Sequence, residues 1–94
     1  MSSIAIKENR LDDADEFLKI ALQTCRDDRN VPPNIYCNVL NNTGELHFLR
    51  GENEQALKFY TEAYEMAQVK IPHLKKSVEI YGKNVENAMT KVGK

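Results

Sequence analysis

Nothing in this sequence approaches the roughly 18 uninterrupted apolar residues that a membrane-crossing helix needs. Its N-terminus also lacks the basic segment followed by an apolar run that marks an export signal. These absences predict an intracellular, cytoplasmic chain. Cysteine is scarce: Cys25 and Cys37 are the only two, without the density or the C-x-x-C spacing of a disulfide scaffold, a redox motif or a zinc site. Both are expected to be free thiols, buried or half-buried. The four glycines are scattered, so there is no glycine-rich loop to cradle a phosphate, and G-x-S-x-G, H-E-x-x-H and a helical E-x-x-H are missing as well. The expectation is a protein that is not an enzyme and uses no cofactor and no metal. A net charge of only −1 argues against nucleic-acid binding, although Lys70, Lys75, Lys76 and Lys83 form a local basic cluster.

What is present fits one domain, residues 1–94. A chain of this size buries roughly 60–65% of its unfolded surface and is expected to be only moderately stable alone. With 41% hydrophobic and 29% charged residues, it is too apolar to remain disordered. The small net charge hides a gradient. Residues 1–30 carry 5 Lys or Arg against 7 Asp or Glu, residues 31–69 carry 2 against 5, and residues 70–94 carry 6 against 2. An acidic beginning and a basic end can steer association, and solvated helix faces produce the same pattern.

Apolar residues recur at helical steps throughout. Over residues 8–28 they are Leu11, Ala14, Leu18, Ala21 and Cys25, widened by Phe17 and Leu22. Asp12, Asp13, Asp15 and Glu16 fall near the expected helix start, where they would complement its dipole. Residues 1–7 demand no fixed conformation, apart from fraying or docking through Ile4. Pro32-Pro33 can open a helix but cannot continue one, so a second helix is predicted over residues 34–50, with Ile35, Val39, Leu46 and Phe48 as apolar anchors. Gly51 breaks the chain. A third helix over residues 53–69 sets Ala56, Tyr60, Ala63 and Ala67 on one stripe, with Phe59 and Met66 on a neighbouring face for the following helix. Pro72 is expected to open the fourth, residues 73–92, through Leu74, Val78, Tyr81, Val85, Ala88 and Met89. Mid-helix, Gly44 costs about 1 kcal/mol against alanine and calls for a close contact in return; its expected partner is Ala56.

Gly44, Ala56, Tyr60 and Ala63 follow the order glycine, alanine, aromatic, alanine across two helices. In this the chain resembles the tetratricopeptide repeat family. Leu40, Thr43 and His47 stand where that signature has tryptophan, leucine and tyrosine, and Gln68 where a proline often closes the repeat. A shift of 42 residues lays Ala14, Phe17 and Ala21 on Ala56, Phe59 and Ala63, which marks an internal repeat. Residues 8–28 then read as the second helix of an incomplete repeat, 34–69 as a complete repeat, and 73–92 as the first helix of a third or a capping helix. Gly44 and Gly82 are 38 residues apart, longer than the usual 34 or so, and similar to the longer repeats of kinesin light chain-type adaptors. The resemblance implies an all-α fold of antiparallel helix pairs, a fragment of a right-handed solenoid with about four helices.

It also implies a function: a scaffold or adaptor module that holds a peptide or helix of a partner protein on its concave face, lined by the first helix of each pair. The residues so placed are Asn38, Asn41, Asn42, Glu45 and Leu49 on one helix and Lys76, Glu79, Ile80 and Lys83 on the other. Side-chain amides suit this role because each donates and accepts bonds to a peptide backbone. Asn42 and Lys76 fall where two residues of the family's carboxylate clamp would stand, but Ile80 replaces an arginine and the remaining pair is absent. The alternative expectation is a self-assembly or capping element, a homo-oligomer formed through open ends at Phe17 and Leu22 on one side and Val78, Tyr81 and Val85 on the other. His47 is expected to pack between helices rather than bind a ligand.

Overall fold

The computed structural model describes residues 2–93, with side chains from Asp13 onward. Among the described residues the chain forms four helices, α1 (Ser2–Asp27), α2 (Pro33–Leu49), α3 (Asn53–Lys70) and α4 (Lys75–Val92), and no strand. The fold is all-α, as the apolar spacing predicts.

Two boundaries differ from expectation. Helix α1 begins at Ser2 rather than near residue 8. No proline or glycine interrupts residues 2–7, and Ala5, Lys7 and Glu8 are good helix formers, so the helix extends beyond its periodic apolar stripe. Its acidic run therefore lies in mid-helix, out of reach of the first-turn dipole that was expected to employ it. The docking expected of Ile4 falls outside the described side chains. At the other end, Pro72 and His73 form a turn, closed by the Leu74 N–H donating to the Ile71 carbonyl at 3.0 Å, and α4 opens only at Lys75. Pro32-Pro33 behaves as the sequence requires, with Pro32 the extended N-cap of α2 and Pro33 in its first turn.

Between α2 and α3 the chain reverses tightly. Gly51 has φ +82, a left-handed conformation that costs an L-side chain about 1–2 kcal/mol. The Glu52 N–H donates to the His47 carbonyl (2.8 Å) and the Gly51 N–H to the Phe48 carbonyl (3.1 Å), the paired bonds of a Schellman cap. His47 Nδ1 lies 2.6 Å from Glu52 Oε1 across the same turn, and the His47 ring stacks on Phe59 with centroids 5.4 Å apart and planes 2° from parallel. His47 is thus a packing residue between helices. Phe59, expected to face the following helix, instead covers α2. The matching Phe17 on α1 is 69% exposed.

Each helix packs mainly on its neighbours in sequence, α1 on α2, α2 on α3 and α3 on α4. Contacts on α3 pair rising numbers with falling ones on its neighbours. Gly44 meets Ala56 and Tyr60 while Leu40 shares a cluster with Ala63 and Ala67, and Gly82 meets Tyr64 while Ala88 clusters with Ala56. Neighbours are therefore antiparallel, and α2 and α4 run in the same direction, joined by the Asn84 Nδ2–Asn41 Oδ1 bond at 2.8 Å. The molecule measures 43 × 33 × 20 Å. Its thin dimension is about two helix diameters, so every helix reaches solvent.

The core has two parts. Cys37, Leu40, Ala63, Ala67, Ile71 and Tyr81 form one cluster, and Ala56, Tyr60 and Ala88 the other. The alanine stripe of α3 is buried as expected; on α2, Leu46 is buried and Val39 and Phe48 half-buried as expected, but Ile35 is not. Cys37 and Leu40 are fully buried while Ile35 is 48% exposed, because α2 must turn Cys37, Leu40 and Gly44 toward α3 and α4 together. Tyr81, expected at an open end, is in fact buried against the α2–α3 pair. Both thiols are free and buried, and burial pushes both upward from the ordinary thiol range.

Burial, and then the negative charge of Glu45, push the Tyr60 phenol up to about 12 from 10.0. A pKa raised in the folded state contributes stability that is complete below the unfolded value and is lost as pH climbs through the folded one. Tyr60 should therefore leave stability flat up to about pH 10 and subtract from it between about 10 and 12. Tyrosinate absorbance followed alongside circular dichroism checks this: ionisation of Tyr60 ahead of unfolding would contradict its burial.

Candidate partner-binding face

Residues 38, 42, 45 and 49 step by four, three and four, which in a helix of 3.6 residues per turn places them on one side. The opposite side of α2 carries Cys37, Leu40 and Gly44 into the core, so Asn38, Asn42, Glu45 and Leu49 form its solvent stripe. Lys76, Glu79, Ile80 and Lys83 are exposed on α4. Asn41 departs from the expectation. It lies where α2 turns toward α4, is half-buried, and its side-chain oxygen accepts the Asn84 amide bond. Asn41 thus holds two helices side by side through its side-chain oxygen.

The exposed residues do not form a single site. Asn42, Glu45 and Leu49 join Ala14, Phe17, Leu18 and Leu46 around a groove of ≈ 300 Å³ between α1 and α2. Its walls are apolar, and its outer edges are Leu49, 62% exposed, and Phe17, 69% exposed. Asp15 of α1, half-buried, faces Arg50 at the end of α2 at 3.7 Å and Lys19 of its own helix at 3.4 Å. Glu45 has no ion-pair partner among the described residues. On α4, Glu79 and Glu86 line the seam against Tyr64 of α3 together with Val78 and Gly82, while Lys76 stands nearer Pro72.

The contribution of α1 was not anticipated from the sequence, because the first helices of each pair were expected to supply the whole face. The available signal was Phe17 itself, a large aromatic on the helical stripe, which the sequence reading assigns to an open end instead. Thr43, the buried polar residue of α2, returns its hydroxyl to the Val39 carbonyl at 2.8 Å. Among the described residues no buried side-chain polar atom lacks a partner, and no group of three His, Cys, Asp or Glu is placed to hold a metal. Among the described residues no helix is long and apolar enough to cross a membrane.

No family model, no curated protein and no solved structure matches this chain. Its function has to be argued from the groove, the two helix stripes and the charges around them.

Proposed function

We propose that this chain is a non-catalytic, cytoplasmic interaction module of the tetratricopeptide type, a scaffold or adaptor that takes a peptide or helix of a partner protein along α2. The carrying observation is the α1–α2 groove, where Phe17 and Leu49 stand exposed on facing walls above an apolar floor of Ala14, Leu18 and Leu46. A volume of ≈ 300 Å³ is at the small end of the roughly 300–1,000 Å³ range of ligand pockets, suited to one large side chain rather than a cofactor. Glu45, at the rim and without an ion-pair partner among the described residues, favours a ligand with a cation beside its apolar anchor. Asn38 and Asn42, exposed on the same stripe, are placed to bond its backbone. The order of packing and the close approach at Gly44 support the family reading, as does the Asn41–Asn84 bond that sets α2 beside α4.

The test is a pair of labelled helical peptides, each with one central leucine, flanked by lysines in one and by glutamates in the other. The lysine peptide should bind more tightly. Leu49→Gln should weaken it by roughly tenfold or more, the scale of a lost anchor, with an unchanged melt because Leu49 is exposed. Glu45→Lys should reverse the preference between the two peptides. Equal binding of both, or of neither, removes this proposal.

A further inference from the structure

Beyond Phe17, which also walls the groove, α1 carries an outward stripe of residues that the peptide reading does not use. Asp13, Phe17, Ile20, Thr24 and Asp27 follow one another by three or four residues, with Glu16 beside Phe17, and all are exposed, Phe17 and Ile20 each at 69%. Among the described side chains of α1 the cations are Lys19 and Arg26, and both are directed elsewhere, Lys19 to Asp15 at 3.4 Å and Arg26 to Glu62 of α3 at 3.5 Å. The stripe is therefore an apolar pair bounded by carboxylates, with no described cation on it. Asp13 and Glu16 lie in mid-helix and Asp27 at the C-terminal end, so the dipole gives no reason for them. Nor is Phe17 covered as its counterpart Phe59 is by His47.

At the other end of the molecule α4 presents the converse. Lys76, Ile80, Lys83 and Asn87 step by four, three and four, all exposed, with Ile80 at 54%. Neither lysine has an ion-pair partner among the described residues. The two glutamates of α4 line the α3–α4 seam, which Lys83 borders as well, and Glu79 also neighbours Lys76, so they flank the stripe on one side. One end of the chain thus offers apolar side chains between carboxylates, and the other an apolar side chain between ammonium groups.

We infer that the α1 stripe of one copy docks on the α4 stripe of a second copy, head to tail, with Phe17 and Ile20 against Ile80 and Asp13 and Glu16 near Lys76 and Lys83. The two surfaces differ, so the contact is heterologous and can repeat from copy to copy, giving open chains or a closed ring rather than a two-fold dimer. A contact limited to single helix faces is small, which places it among weak, salt-sensitive associations. It shares Phe17 with the peptide groove but needs neither Glu45 nor Leu49.

Charge exchange tests it directly. Wild-type protein, followed by sedimentation equilibrium from micromolar to millimolar concentration, should show a mean mass that rises with concentration and falls with added salt. The double variants Asp13→Lys/Glu16→Lys and Lys76→Glu/Lys83→Glu should each stay monomeric alone, since like charges then face each other. Mixed in equal amounts they should associate again, because each supplies the charge that the other has lost. All four positions are exposed, so circular dichroism melts should match wild type and exclude misfolding as the cause. A wild-type protein monomeric throughout, a single variant that associates as wild type does, or a mixture that stays monomeric would each overturn the inference. Glu45→Lys, which alters the groove, should leave the wild-type association intact.

Discussion

Leu40→Ala should destabilise the protein by about 2–5 kcal/mol, the range for deleting a buried leucine side chain when the surroundings relax only in part. Leu40 is fully buried where α2 meets α3 and α4, in the cluster with Cys37, Ala63, Ala67, Ile71 and Tyr81. Three of these neighbours are too small to refill the space. The two alanines have no rotamer to change, and Cys37 is itself fully buried. The upper half of the range is therefore expected. Domains of this size have about 5–15 kcal/mol in total, and about 1 kcal/mol shifts the melting temperature by roughly 4–8 °C. The melt should fall by well over 10 °C on that scale; thermal and urea denaturation of the variant measure it. A loss under about 1 kcal/mol would mean that the three helices do not meet at this residue.

Gly44→Val should cost about 1–3 kcal/mol by overpacking, although valine is the better helix former by a few tenths of a kcal/mol. A Cβ built at Gly44 would lie 2.7 Å from Tyr60 Cδ1, 2.9 Å from Cε1 and 3.2 Å from the Ala56 carbonyl oxygen. None of these can yield cheaply. The Tyr60 ring is only 4% exposed and stands against Phe48, with centroids 6.4 Å apart, and the third atom is backbone. Gly82 provides the comparison. Its nearest atom would be Tyr64 Cε1 at 3.0 Å, the edge of a half-buried ring that can swing toward solvent. Gly82→Ala should consequently be close to neutral, its helix-propensity gain of about 1 kcal/mol offsetting a mild clash. Parallel denaturation curves for the two variants check the difference: equal losses would show that the helix crossing is not tighter at Gly44.

Both predictions concern the α2–α3 pair, where local and tertiary preferences agree. The alanine stripe of α3, the glycine opposite it and the break at Gly51 each have one physical use, so period and punctuation suffice to place them. The edges of the helices were less legible. Residues 2–7 of α1 lack the apolar period that identifies a helix, yet nothing in them stops one. Pro72 is compatible with a helix start, but Pro72 and His73 instead form the turn closed by Leu74 and Ile71.

The sequence by itself determined four helices, their order and their reversals, because these follow from residue spacing and from the conformational limits of proline and glycine. It also determined that Asn38, Asn42, Glu45, Leu49, Lys76, Glu79 and Lys83 would be exposed, since each lies off a packed apolar stripe. Only the tertiary structure decided how far α2 rotates, and so that Cys37 and Leu40 enter the core while Ile35 remains outside. It alone turned Asn41 into a tie to Asn84 and brought Phe17 of α1 opposite Leu49 of α2 to form the groove. These features depend on which neighbour each side of a helix meets. Helical periodicity states that a residue lies on a given side; it carries no information about what stands across from it.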